Sequence, residues 1–153
     1  MNDQPGVLAR AESENQSVVA ASGRERDVIE VQASGLVDAE WYGRAYNDPP
    51  GIDAVAHFLD HGAREGRLPN PYFATEWYLR QNPDVGMTGQ NPLLHYIRRG
   101  EAECRAPAPH FDLAWYRTRH SAAPGQTLLR HFLDRRRRGE ASPLPEFDPV
   151  FYL

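Results

Sequence analysis

The chain repeats itself, and the repeat restricts its architecture more than any other feature. Trp41-Tyr42, Trp77-Tyr78 and Trp115-Tyr116 recur at spacings of 36 and 38 residues, and Phe151-Tyr152 continues the series after a further 36. His57-Phe58-Leu59, His95-Tyr96-Ile97 and His131-Phe132-Leu133 recur in step, as do the proline pairs Pro69/Pro71, Pro107/Pro109 and Pro143/Pro145. Three landmarks in fixed order, three times over, define units at 36–71, 72–110 and 111–146, with a partial fourth at 147–153.

Each unit reads as two short helices. Asp38, Asp112 and Asp148 stand three residues before the aromatic pair, where a carboxylate accepts from the open amides of a first turn. The second unit has Ala74 there, leaving either Thr75 as the cap or a weaker end. Val37, Phe73, Phe111 and Phe147 precede the cap and pair with the Tyr at the fourth helical position, a hydrophobic staple. Asp53, Asn91 and Thr127 cap the second helix, with Pro92 at its first position. Apolar residues then fall at i, i+3 and i+4: Val55, Phe58 and Leu59; Leu93, Tyr96 and Ile97; Leu129, Phe132 and Leu133. Gly62 and Gly100 follow, where a left-handed residue ends a helix at little cost. In the third unit Arg136 stands in for that glycine. No stretch alternates with period two for long enough to read as a strand. Helices this short need a neighbour to cover their apolar face. The fold class expected is therefore all-α: an array of short helical hairpins stabilised by nearest-neighbour contacts.

Residues 1–35 contain no aromatics and are rich in Glu, Ser, Gln and Arg, so they read as a disordered leader; Val28, Ile29 and Val31 leave room for a brief element docked on the array. Phe147–Leu153 opens a helix without its partner, which reads as a cut from a longer chain rather than as a cap.

No stretch is long enough to cross a bilayer and no secretory signal is visible, so a cytoplasmic location is expected, with peripheral association at the inner membrane left open. All 17 basic residues are arginine and the net charge is −4. The charge is uneven: unit one carries three Arg against six Asp/Glu, and unit three seven Arg against four. An acidic chain argues against nucleic acid as partner.

Candidate binding residues are the tryptophans and the arginine cluster. Trp41, Trp77 and Trp115 suit either a filled interior or stacking platforms for sugar rings, and the interior is the expectation. Arg135, Arg136, Arg137 and Arg138, with Arg130, suit phosphate, nucleic acid, anionic lipid or an acidic protein face, and a solvated helix end is the expectation. His57, His95 and His131 are one repeat apart, too far to share one ion, so no metal site is expected and each should bond a neighbouring backbone group or carboxylate. Cys104, at the place of Gly66, has no base beside it. No phosphate loop, nucleophile elbow or Cys-x-x-Cys is present, and no cofactor is expected.

The motif Trp77-Tyr78-Leu79, Asn82-Pro83-Asp84-Val85, Gly89, Asn91-Pro92-Leu93-Leu94-His95-Tyr96, Gly100, Glu103, Arg105, Pro107, Pro109 resembles a bacterial helical repeat found beside glycosyltransferase domains of surface-polysaccharide proteins. The resemblance covers residues 36–153 and brings no catalytic residue with it. It implies a non-catalytic interaction or scaffolding module, bound to a protein partner or a growing glycan. The alternatives are a glycan-binding module using exposed aromatics and a free-standing adaptor; a small enzyme is the weakest reading.

Overall fold

The computed structural model describes residues 23–145, and the partial fourth unit and residues 1–22 lie outside the described residues. Helix α1 occupies residues 23–34. The first unit contains α2 (Ala39–Ala45) and α3 (Ala54–His57), which runs on as a π-helical turn over Phe58–Gly62. The second contains α4 (Thr75–Gln81), α5 (Pro83–Thr88) and α6 (Pro92–His95), extended by a π-turn over Tyr96–Gly100. The third contains α7 (Leu113–Arg119) and α8 (Leu128–Arg136). No strand occurs among the described residues, so the all-α expectation holds.

The caps fall where the sequence puts them. Asp38 and Asp112 accept from Trp41 N and Trp115 N at 3.1 and 2.9 Å. Asp53, Asn91 and Thr127 cap the second helices. In the second unit Ala74 is the N-cap with no side-chain bond, and Thr75 Oγ1 donates instead to Arg67 O at 2.8 Å. The staple is present: Phe73 lies 5.2 Å from Tyr78 and Phe111 5.3 Å from Tyr116, centroid to centroid. Each unit is also closed on itself through the backbone. Asp38 N donates to Pro69 O, Ala74 N to Pro107 O and Asp112 N to Pro143 O, all at 2.9 Å.

Four expectations need correction. First, the second unit has three helices rather than two: Pro83 starts α5, which buries Val85 and ends at Gly89 with φ +71. Gly86 lies inside α5, and an added Cβ would meet nothing within 4 Å. Gly86→Ala should therefore raise stability by about 0.5–1 kcal/mol, since it removes backbone freedom from the unfolded chain without a clash. A shift of the urea midpoint to higher concentration at constant slope checks this.

Second, Gly62 and Gly100 are not left-handed caps. They lie in the π-turns, and the left-handed residues come four positions later, at Gly66 (φ +76) and Cys104 (φ +58). In those turns an added Cβ would lie 2.3 Å from Tyr42 Oη at Gly62 and 2.1 Å from Tyr78 Oη at Gly100. The glycines let the tyrosine hydroxyl press against the backbone. A π-turn accommodates one extra residue within a helix, and the third unit shows the count. Arg67 N donates to Gly62 O, Arg105 N to Gly100 O and Glu140 N to Arg135 O. By this pairing Arg135, not Arg136, occupies the glycine position. It follows His131 by four residues, where Gly62 follows His57 by five, and α8 stays α-helical to Arg136.

Third, residues 23–34 are not a disordered leader. Val31 is fully buried in the common core, with Val28 packed beside it. Arg24 pairs with Asp60 of the first unit, and Arg98 of the second pairs with Asp27 and Glu30 at 2.8 Å. Two valines one turn apart were enough to anchor a helix once a core existed to receive them.

Fourth, contacts are not confined to neighbouring units. Arg130 Nη1 of the third unit donates to Gly35 O at 2.7 Å, and Arg137 reaches Asp38 at 3.5 Å. The array bends round so that its first and third units meet, and α1 is paired with the first and second.

Candidate functional site

The repeated signature builds the same Tyr–His pair three times, fully buried in the second unit. Tyr42 Oη and His57 Nδ1 share a hydrogen bond of 2.8 Å, Tyr78 Oη and His95 Nδ1 one of 2.8 Å, and Tyr116 Oη and His131 Nδ1 one of 2.7 Å. Each tyrosine is fully buried on the first helix of its hairpin, and each histidine stands on the second. The bond therefore pins the two helices together. Burial is the main cause that pushes the hydroxyl of Tyr78 up, and likewise Tyr116, so both keep their protons. Burial, followed by Arg105 and Arg135 respectively, pushes the rings of His95 and His131 below the ordinary histidine value. A protonated phenol facing a neutral imidazole fits O–H donation to Nδ1. The expected partner, a backbone group or carboxylate, is thus replaced by a tyrosine hydroxyl. Tyr and His recur in step at separations of 15, 17 and 15 residues, but recurrence alone does not say that they touch.

These histidines make acid destabilising. A histidine whose folded value lies below its unfolded one contributes stability that is present above the unfolded value and lost as pH falls through the folded value. The protein is expected to melt lower at pH 5 than at pH 7.5, and replacing His95 and His131 by Gln should flatten that slope. Thermal scans across the interval, above the range where carboxylates titrate, measure it.

A second ring of polar contacts surrounds the pair in the first two units. Arg67 pairs with Asp48 at 3.1 Å and lies over the Tyr46 ring at 4.6 Å; Arg105 pairs with Asp84 and Glu103 at 2.9 Å and donates to Asn82. In the third unit Glu140 takes that place, and His120 packs 4.3 Å from Tyr116 instead. Among the described residues no buried side-chain N or O atom lacks a hydrogen-bond partner.

Trp41, Trp77 and Trp115 sit one residue before each buried tyrosine and are half-buried against the core. Trp115 carries Arg119 over its face at 5.9 Å. They are neither fully interior, as expected, nor open platforms.

The arginine cluster divides. Arg130 is committed to Asp134 at 3.0 Å and to Gly35 O. Arg136 lies over the Tyr72 ring at 4.6 Å, and Arg137 faces Asp38. Arg135 and Arg138 are exposed. A cleft of about 310 Å³ lies where the first and third units meet, with Val37, Asp38 and Glu40 on one wall and Arg130, Arg136 and Arg137 on the other. The lining carries both signs of charge, and Arg135 and Arg138 lie outside it, exposed.

Sequence reasoning missed Glu101. Its carboxylate accepts from Leu128 N at 2.6 Å and from Tyr96 Oη at 2.7 Å. It thus adds to the N-terminal cap of α8 from the neighbouring unit. Nothing in its spacing marks it, because the other units have no counterpart.

No group of three or more His, Cys, Asp or Glu side chains able to hold a metal occurs among the described residues, and none of their helices is long and apolar enough to cross a membrane. Compared with known proteins, the chain matches no family model, no curated protein and no solved structure.

Proposed function

We propose that the chain is a non-catalytic interaction module of a bacterial glycosyltransferase or surface-polysaccharide assembly protein, acting on the cytoplasmic side at the periphery of the inner membrane. One observation carries this reading: the polar residues of the repeated motif are engaged in holding the hairpins shut. The caps satisfy helix ends, the Tyr–His pairs join helices, and Arg67 and Arg105 bind carboxylates of their own units. What remains for a partner is surface shape and the charge of the third unit. The resemblance of the motif to glycosyltransferase-associated repeats supports the setting.

The test is deletion of residues 36–146 from the encoded protein in its host. Glycan output and cross-linked partner recovery are expected to fall together. Both unchanged would end the proposal. Recognition of a glycan rather than a protein would show itself as saturable protection of tryptophan fluorescence from acrylamide by the isolated polysaccharide.

A further inference from the structure

Helix α1 is paired with the first and second units and faces the third across open clefts, so it is held loosely. Its apolar anchor is Val28 and Val31, with Val31 fully buried. Its charged contacts, Arg24 to Asp60 and Arg98 to Asp27 and Glu30, involve side chains a third or more exposed, the class of pair that contributes least. Open clefts flank its C-terminal half. One of about 450 Å³ separates Ala33 and Ser34 from Ile97 and Gln126, and one of about 540 Å³ separates Gln32 and Gly35 from Pro124 and Gly125. Small residues on α1 leave this space unfilled. The hinge after α1 is Gly35, at φ +66, where an added Cβ would lie 2.4 Å from Arg130 Nη1.

We propose that the three units form a helix-binding groove, that α1 fills it in cis, and that the partner is an amphipathic helix patterned like α1. Such a helix carries apolar residues at i and i+3 to replace Val28 and Val31. Carboxylates one turn apart face Arg98, and a cation one turn earlier faces Asp60. Bulkier side chains toward its C-terminal end fill the two clefts that Ala33, Ser34 and Gly35 leave. This rests on the interaction-module reading and supplies the partner's chemistry. Helix-in-groove recognition of this kind is read from anchors three and four residues apart. Because α1 competes for the seat, the apparent affinity for a partner is reduced by the fraction of molecules in which α1 is away.

The test uses the full chain and a labelled peptide with the sequence of residues 23–34. Asp27→Arg with Glu30→Arg turns α1 against Arg98 without touching the core. This variant is expected to bind the peptide about ten-fold more tightly than the unaltered chain. Adding Arg98→Glu to it should abolish the gain. Equal binding by the unaltered chain and the released variant, or no binding by the released variant at millimolar peptide, overturns the proposal. Hydrogen exchange on the unaltered chain gives an independent reading. Amides of α1 are expected to exchange at least ~100-fold faster than those of α6, by local opening. Matching protection in α1 and α6 makes α1 part of the core and overturns the groove. Failure here with loss of partner recovery on deletion of 36–146 leaves the module standing and removes only its groove.

Discussion

Gly100→Ala is expected to destabilise the protein by about 3 kcal/mol, a large effect for one methyl group. The added carbon would lie 2.1 Å from Tyr78 Oη and 3.5 Å from His95 Nδ1. The neighbour is the rigid end of a fully buried ring, so it cannot swing aside. Either the ring moves, breaking its 2.8 Å bond to His95, or the π-turn reopens as an α-turn and shifts every residue after it. Tyr78→Phe separates these. It removes the hydroxyl that the methyl strikes, so the double variant should cost less than the sum of the two single ones. A cycle of urea denaturations measures the coupling; strict additivity would mean that the glycine serves only backbone freedom.

Glu101→Ala is expected to cost about 2–3 kcal/mol, because three groups lose one acceptor together. The Tyr96 hydroxyl, on a fully buried ring, would lose its acceptor. Leu128 N and Leu129 N would lose the carboxylate at the positive end of α8, leaving Thr127 to cap Arg130 N alone. Glu101→Gln keeps an acceptor and should recover about half of the loss. Tyr96→Phe in the Ala background should add little, since the hydroxyl has then no partner to lose. Chemical denaturation of the four chains checks this.

Much of the hairpin was legible in the sequence because its determinants are local. Asp38, Asp53, Asn91, Asp112 and Thr127 each act within three residues of their position, and each caps as read. The apolar triplets, such as Leu93, Tyr96 and Ile97, face the core because helical spacing alone dictates it. What escaped was long-range or depended on close approach. Gly100 was read as a helix stop because glycine most often serves that way; its true role is set by a tyrosine 22 positions earlier. The Tyr–His bond was missed because spacing shows which residues recur, not which of them touch. The seat of α1 depends on Arg98 and Asp60, far along the chain, and no local pattern announces it. For the candidate site, the arginines were found but their division was not. Arg130 is bound into the structure while Arg135 and Arg138 face outward, a difference that a run of like residues does not carry.

The bond from Arg130 to Gly35 joins residues 95 positions apart, whereas the Tyr–His bonds span 15 to 17. Open repeat arrays fold by local steps that spread from any starting unit, and their ends need never meet. Here the first and third units do meet. Short loops close at lower entropic cost than long ones, so each hairpin gains its own contacts before the circuit is completed. Closure then couples units that an open array would leave independent, and strain introduced in the third hairpin is felt in the first. A tandem duplication that inserted another hairpin between the first and the third would have to open this clasp, so the circuit limits how the array can grow.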